Sequence, residues 1–107
     1  MGELGDVIER LAATIEARRG ADVSQSWSAR LIGDPALAAK KLAEEAVEAA
    51  LAAVQGDKAG VIAESADVIY HLLALLAATG VSLEDVAATL IAREGKSGVA
   101  EKAKRGV

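Results

Sequence analysis

Apolar residues recur along this chain with the spacing of α-helices. Near its start, large aliphatic residues follow one another at intervals of three and four positions: Leu4, Ile8, Leu11 and Ile15. This spacing places them on one face of a helix, which we predict from about Leu4 to Arg19. No stretch of the sequence alternates apolar and polar residues with the two-residue period of a β-strand. The pattern therefore predicts an all-α fold.

Three further helices are predicted, each beginning at a residue type that caps helix N-termini. The caps are Asp34, Asp57 and Ser82, and the helices run to about Gln55, Thr79 and Glu94. Between the first two helices, residues 20–34 are irregular, with a loop or a brief helix at 24–31. The tail, 95–107, is expected to be ordered only if another part of the molecule holds it. The length of the chain indicates one domain over 1–107. Short connections favour antiparallel neighbours, so we predict a four-helix antiparallel bundle.

Composition narrows the kind of protein that this bundle can be. The chain has 107 residues, of which 52% are apolar and only 2% aromatic, so its core must be built from small aliphatic residues. A net charge of −4 offers no basic surface for nucleic acid, and the sequence has no cysteine for disulfide or thiol chemistry. The first residues lack a signal-peptide pattern, and the longest apolar run, Leu72–Ala78, is short of a membrane span. We therefore expect a cytoplasmic protein.

Two acidic clusters interrupt the apolar faces of the second and third predicted helices. Their members are Glu44, Glu45, Glu48, Glu64 and Asp67. At about 100° per residue, most of these acids share an arc with the large apolar residues of the same helix. Acids of a surface helix would lie opposite those residues. If the two helices pack together, the carboxylates converge, and their repulsion calls for a cation. Hard cations such as Mg²⁺ or Mn²⁺ prefer oxygen ligands and permit metal-assisted attack of water on a phosphoanhydride.

Several of these residues have a simpler interpretation. The first acidic cluster could be a solvated face paired with Lys40 and Lys41. Lys41 could bind a substrate phosphate or neutralise Glu45, one turn along the helix. His71 fits a core or pocket-wall histidine held by Asp67 better than a metal ligand. Trp27 fits a packing anchor better than a stacking platform for a base.

The spacing of the acids resembles a known signature. Glu44-Glu45-x-x-Glu48 followed by Glu64-x-x-Asp67 is similar to that of the all-α, MazG-like nucleoside-triphosphate pyrophosphohydrolases. The flanking segments resemble more narrowly the phosphoribosyl-ATP pyrophosphatase family of histidine biosynthesis. These segments are 26–31, 40–48, 66–73, 80–86 and 97–103.

This resemblance implies hydrolysis of phosphoribosyl-ATP to phosphoribosyl-AMP and pyrophosphate with Mg²⁺. It makes all five acids metal-site residues, with the general base among Glu44, Glu45 and Glu48. It also implies phosphate-binding roles for Lys41 and Arg30. The pocket residues that it implies are Ser26, Trp27 and His71.

Two other functions remain open at this point. A housecleaning pyrophosphohydrolase would act on free or damaged nucleoside triphosphates through the same acids, whereas a helical adaptor would bind neither metal nor nucleotide. The Ala-rich sides of the second and third helices cannot both be covered by one small core. We therefore expect a homo-oligomer, a dimer in line with the resemblance, that assembles through these sides.

Overall fold

The computed structural model describes residues 2–96 and residue 98, and the elements assigned within them are all helices. The helices are α1 (Glu3–Glu16), α2 (Trp27–Ile32), α3 (Pro35–Val54), α4 (Lys58–Thr79) and α5 (Leu83–Ala92). The all-α prediction is confirmed, and each of the four predicted helices is present. The additional helix, α2, has six residues and lies where a loop or a brief helix was expected. The predicted tail falls, after Lys96, outside the described residues except for Gly98.

Local side-chain chemistry explains where most helices begin. The carboxylate of Asp34 accepts a hydrogen bond from the Leu37 amide at 3.1 Å, and Asp57 caps α4 in the same way. The hydroxyl of Ser82 accepts from the Asp85 amide at 3.1 Å. These bonds satisfy amides that a helix leaves without an intrahelical partner. The three predicted caps are therefore confirmed.

The end of α1 differs from the prediction. The helix stops at Glu16, before the predicted Arg19, because the amides of Arg18 and Arg19 bond to carbonyls three residues back and turn the chain. The Arg19 guanidinium pairs with the Glu16 carboxylate and donates to the Ala77 carbonyl oxygen at 2.8 Å. Arg19 thus ties the end of α1 to α4.

Helices α3 and α4 form the antiparallel pair on which the molecule is built. Their connection is only three residues long, so the chain must reverse direction between them. Small residues keep the two helices close, since a methyl group on Gly60 would lie 3.2 Å from the Ala52 side chain. Further along, Ala38 packs in one buried cluster with Ala74. Residues that face each other on α3 and α4 are therefore equally far in sequence from the turn between the two helices.

Two small buried clusters place α1 and α2 against this pair. Ile15, Ile32 and Leu73 form the first, and Leu31, Ala38 and Ala74 form the second. Tyr70 packs against both clusters. By contrast, α5 contributes no buried residue. The core is therefore centred on α4.

By length and composition alone, α4 could cross a membrane. A core helix of a soluble protein meets the same criterion. Helix α4 contacts α1, α2 and α3, and it carries Glu64, Asp67 and His71 near its middle. These contacts and polar residues favour the core-helix interpretation.

Candidate metal and nucleotide site

Three of the five predicted metal-site acids meet at the interface of α3 and α4. Glu45 and Glu48 come from α3, and Glu64 comes from α4. One carboxylate oxygen from each lies within 4.8 Å of the others. Glu45 and Glu64 are half-buried and Glu48 is exposed. The antiparallel register explains the convergence, because Glu48 and Glu64 are equally far from the turn between the helices.

Glu64 is the electrostatic centre of this carboxylate triad. Its Oε2 atom is buried and has no hydrogen-bond partner among the described residues. The pKa of Glu64 is raised to about 7, first by a hydrogen bond with the Glu45 carboxyl group, then by burial and by a hydrogen bond with Glu48. Below about pH 7 a metal-free site therefore holds a proton where three carboxylates would otherwise repel one another. An unpartnered oxygen in an all-carboxylate set also fits the ligands that Mg²⁺ prefers.

The other two predicted ligands lie beside the triad. Glu44 pairs with Lys41, whose Nζ atom is 3.1 Å from Oε1 of Glu44. This hydrogen bond is the main reason that the pKa of Lys41 is raised. Asp67 lies one turn after Glu64, and its side chain is exposed. Their roles as ligands stay predictions.

An open depression of about 510 Å³ adjoins the triad. It is lined by Lys41, Ala43, Glu44, Glu45, Val47 and Glu48. The ammonium group of Lys41 therefore stands at the edge of the same space as the carboxylates. This arrangement places a cation where a phosphate next to a bound metal would need one.

Further along α4, aromatic residues join α2 to the helix pair. The indole Nε1 of Trp27 donates to Nε2 of His71 at 3.4 Å, and the Arg30 guanidinium lies 5.6 Å from the centre of the Trp27 ring. The hydroxyl groups of Ser28 and Tyr70 are 2.6 Å apart. The structure thus brings together three predicted site residues, Trp27, Arg30 and His71.

Two contacts show how Ser26 and His71 are held, while their roles in the pocket stay predictions. Ser26 caps α2, with its hydroxyl accepting from the Ala29 amide at 3.1 Å. His71 is held by Asp67 through the backbone carbonyl oxygen at 2.8 Å, not through the carboxylate. The pair formed by Ser28 and Tyr70 was not predicted from the sequence. The available signal was their position, since each is the immediate neighbour of a residue already singled out.

Comparison with known proteins identifies the family. A model of the family described as phosphoribosyl-ATP pyrophosphohydrolase matches residues 8–94. The chain belongs to this family. The match includes the carboxylate triad and the aromatic residues of α2 and α4. The phosphoribosyl-ATP pyrophosphohydrolase resemblance drawn from the sequence is thereby confirmed, and the chain is a hydrolase.

Individual relatives in this pyrophosphohydrolase family align along almost their whole length. Phosphoribosyl-ATP pyrophosphatase from Caulobacter vibrioides is 64% identical over 102 residues, which cover 95% of both chains. The protein of the same name from Caulobacter sp. strain K31 is 58% identical over 105 residues, or 98% of each chain. The one from Cereibacter sphaeroides is 58% identical over 101 residues, or 94% of this chain and 98% of the relative.

Proposed function

We propose that this hydrolase converts phosphoribosyl-ATP to phosphoribosyl-AMP and pyrophosphate, a step of histidine biosynthesis in the cytoplasm, with Mg²⁺ held by Glu45, Glu48 and Glu64. The observation that carries the proposal is the carboxylate triad with the unpartnered oxygen of Glu64 at its centre. The family relationship supplies the substrate.

The carboxylates provide the metal ligands and the base. Glu45, Glu48 and Glu64 would hold Mg²⁺, with Glu44 and Asp67 bordering them. When bound, Mg²⁺ neutralises phosphate charge and polarises the phosphoanhydride. A carboxylate of Glu45 or Glu48 accepts a proton from the attacking water, because both line the depression and neither is engaged by Lys41 in the way that Glu44 is.

Hydrolysis forms one bond to phosphorus and breaks another. Water oxygen forms a bond to a phosphorus of the α–β phosphoanhydride, and the bond from that phosphorus to the bridging oxygen breaks. The proton of the water goes to the carboxylate. Attack at the α-phosphorus expels pyrophosphate with the bridging oxygen and the electron pair, whereas attack at the β-phosphorus expels phosphoribosyl-AMP with them and leaves the water oxygen in pyrophosphate. Lys41, at the edge of the depression, stabilises negative charge on the phosphates. Arg30 supplies a second cation for a phosphate group of the substrate.

The substrate assignment is tested by comparing substrates with pyrophosphate release as the readout. The protein with Mg²⁺ is incubated separately with phosphoribosyl-ATP, ATP and dUTP at equal concentrations. We expect phosphoribosyl-ATP to be cleaved with the highest kcat/KM. Preferential cleavage of dUTP would instead support a housecleaning pyrophosphohydrolase. Failure to bind Mg²⁺ or Mn²⁺ and to cleave any of the three would support the adaptor function.

We also propose that the chain works as a homodimer. Among the described residues, eight hydrophobic residues are buried, and four of these are alanines, whereas twelve large hydrophobic residues are exposed. Val47, Leu51 and Val54 form an exposed stripe on α3, and Ile62 is exposed on α4. Such a large uncovered apolar surface is characteristic of a protein interface. Because Val47 also lines the depression, a partner on this stripe would lie next to the substrate.

A further inference from the structure

The hydrogen-bond partners of His71 fix which ring nitrogen carries the proton. The side chain is buried, with 7% of its surface exposed. Nδ1 lies 2.8 Å from the Asp67 carbonyl oxygen, which can only accept a hydrogen bond. Nε2 lies 3.4 Å from the Trp27 indole N–H, which can only donate. Both partners require the same neutral tautomer, with the proton on Nδ1 and a lone pair on Nε2.

This tautomer makes His71 a support for Trp27. Its two ring nitrogens are both engaged, one by its own helix and one by α2. The indole ring meets the imidazole ring edge to face, with ring centres 6.5 Å apart. The orientation of Trp27 is thus set by a buried group on α4, although Trp27 itself is 41% exposed.

Trp27 in turn supports Arg30. The two residues are one turn apart on α2, and the guanidinium carbon lies 5.6 Å from the centre of the indole ring. This distance is within the range of a cation–π contact. Such a contact restricts the guanidinium while leaving its N–H groups available to bind an anion.

The contacts that link His71, Trp27 and Arg30 lie about two helical turns from the carboxylate triad along α4. His71 follows Glu64 by seven residues, which corresponds to about 10 Å along α4 and to a rotation of only about 20° around it. Trp27 therefore contacts the face of α4 that carries Glu64, at a residue two turns further along the helix. Lys41, in contrast, pairs with Glu44 at the edge of the triad.

We infer that His71 is a positioning residue that orients Trp27 and thereby Arg30, and that Arg30 binds the phosphate on the second ribose of the substrate. This inference rests on the proposed function. Phosphoribosyl-ATP carries a triphosphate at one end and a phosphomonoester at the other, with ribose and purine between them. Lys41 pairs with an acid beside the triad, whereas Arg30 is held by Trp27, which contacts His71 of α4, so the two cations can serve the two ends of this substrate. Arg30 is then the residue that distinguishes phosphoribosyl-ATP from ATP.

The orienting role is tested first without metal or turnover, through Trp27, the only tryptophan in the sequence. His71→Phe keeps a ring in place but removes both hydrogen bonds. Tyr70→Phe is the matched control, because it removes only the neighbouring hydroxyl contact with Ser28. We expect His71→Phe to raise the acrylamide quenching constant of the tryptophan emission about twofold, and Tyr70→Phe to leave it at the wild-type value.

The specificity role is tested by kinetics and by competition. We expect His71→Phe and Arg30→Ala each to raise KM for phosphoribosyl-ATP about tenfold, with kcat changed less than threefold. His71→Gln, which keeps an acceptor for the indole N–H, should recover most of the loss. Phosphoribosyl-AMP should compete better than AMP against the wild-type enzyme and no better against Arg30→Ala. The control variant is Arg10→Ala, which changes an exposed arginine of α1.

Several results would overturn the inference. One is a His71→Phe protein with the wild-type quenching constant and the wild-type KM. Another is a Tyr70→Phe protein in which the quenching constant and KM rise as much as in His71→Phe. If circular dichroism shows that His71→Phe does not fold, Trp27→Phe replaces it, and an unchanged KM then contradicts the role. A wild-type protein that cleaves no phosphoribosyl-ATP would contradict the proposed function, whereas the quenching comparison still decides the contact between His71 and Trp27.

Discussion

The carboxyl groups of Glu64 on α4 and Glu45 on α3 meet across the helix interface, with oxygens within 4.8 Å of each other. The hydrogen bond that a protonated Glu64 can donate to Glu45 is the main cause of the raised pKa of Glu64. The pair lies across the interface of the two longest helices of the described region. A buried oxygen of Glu64 is left without a donor. Below about pH 7 the metal-free protein therefore holds a proton at the place where we propose that Mg²⁺ binds.

The stability of the metal-free protein should depend on this proton. The pKa of Glu64 is about 7 in the folded chain and close to 4.5 when unfolded, so the folded state binds more protons between those pH values. Its free energy of unfolding should therefore fall as pH rises from about 4.5 to 7. Urea denaturation in EDTA measures this slope, and Glu64→Gln should have a smaller one. Equal slopes for the two proteins would contradict the raised pKa.

Metal binding should be lost when the same carboxylate is neutralised. We expect Glu64→Gln to weaken Mn²⁺ binding at least tenfold in calorimetric titrations at neutral pH, since an amide replaces an anionic ligand. Wild-type binding should also release protons, because the metal displaces the proton of Glu64. Proton release is measured by repeating the titration in buffers of different ionisation enthalpy. Unchanged affinity in the variant would show that the ion binds elsewhere.

Asp67 provides a test of how far the site extends. Its carboxylate is outside the triad but only one turn from Glu64, and residues three apart are neighbours on a helix surface. We expect Asp67→Asn to lower turnover at least a hundredfold while the helical circular dichroism signal is retained. Near-normal pyrophosphate release from a folded variant would restrict the metal site to the triad.

The apolar stripe of α3 should control assembly. Leu51 is 53% exposed within the chain, and a charge there would be buried in the proposed dimer. We expect Leu51→Glu to convert the dimer to a monomer in sedimentation velocity. Val23→Glu, at a residue 60% exposed and outside the helices, is the matched control and should remain dimeric. A wild-type protein that is monomeric at working concentration would contradict the dimer.

Local signals explain why much of the fold was predictable. The caps Asp34 and Ser82 act on amides three residues away, so the sequence beside them is sufficient. The predicted end of α1, Arg19, lies beyond the observed end, Glu16. The turn after Glu16 is stabilised by a contact between Arg19 and Ala77, which are distant in sequence. Helix ends that depend on such contacts cannot be read from neighbouring residues alone.

Some features of the candidate site could likewise be predicted from the sequence, and others could not. Helical arcs were enough to predict that carboxylates of α3 and α4 would meet, as Glu45 and Glu64 do. They could not show that Lys41 would engage Glu44, because that choice depends on side-chain rotamers. The contact between Trp27 and His71 joins residues 44 positions apart and depends on how α2 packs.

The most direct test of the account compares pyrophosphate release from phosphoribosyl-ATP, with saturating Mg²⁺, by the wild-type protein and by Glu45→Gln. Glu9→Gln, which changes an exposed acid of α1, serves as the control. We expect Glu45→Gln to lower kcat at least a hundredfold and Glu9→Gln to keep wild-type activity, with all three proteins equally helical. A folded Glu45→Gln protein that releases pyrophosphate at a near-normal rate would contradict the carboxylate triad as the centre of the reaction.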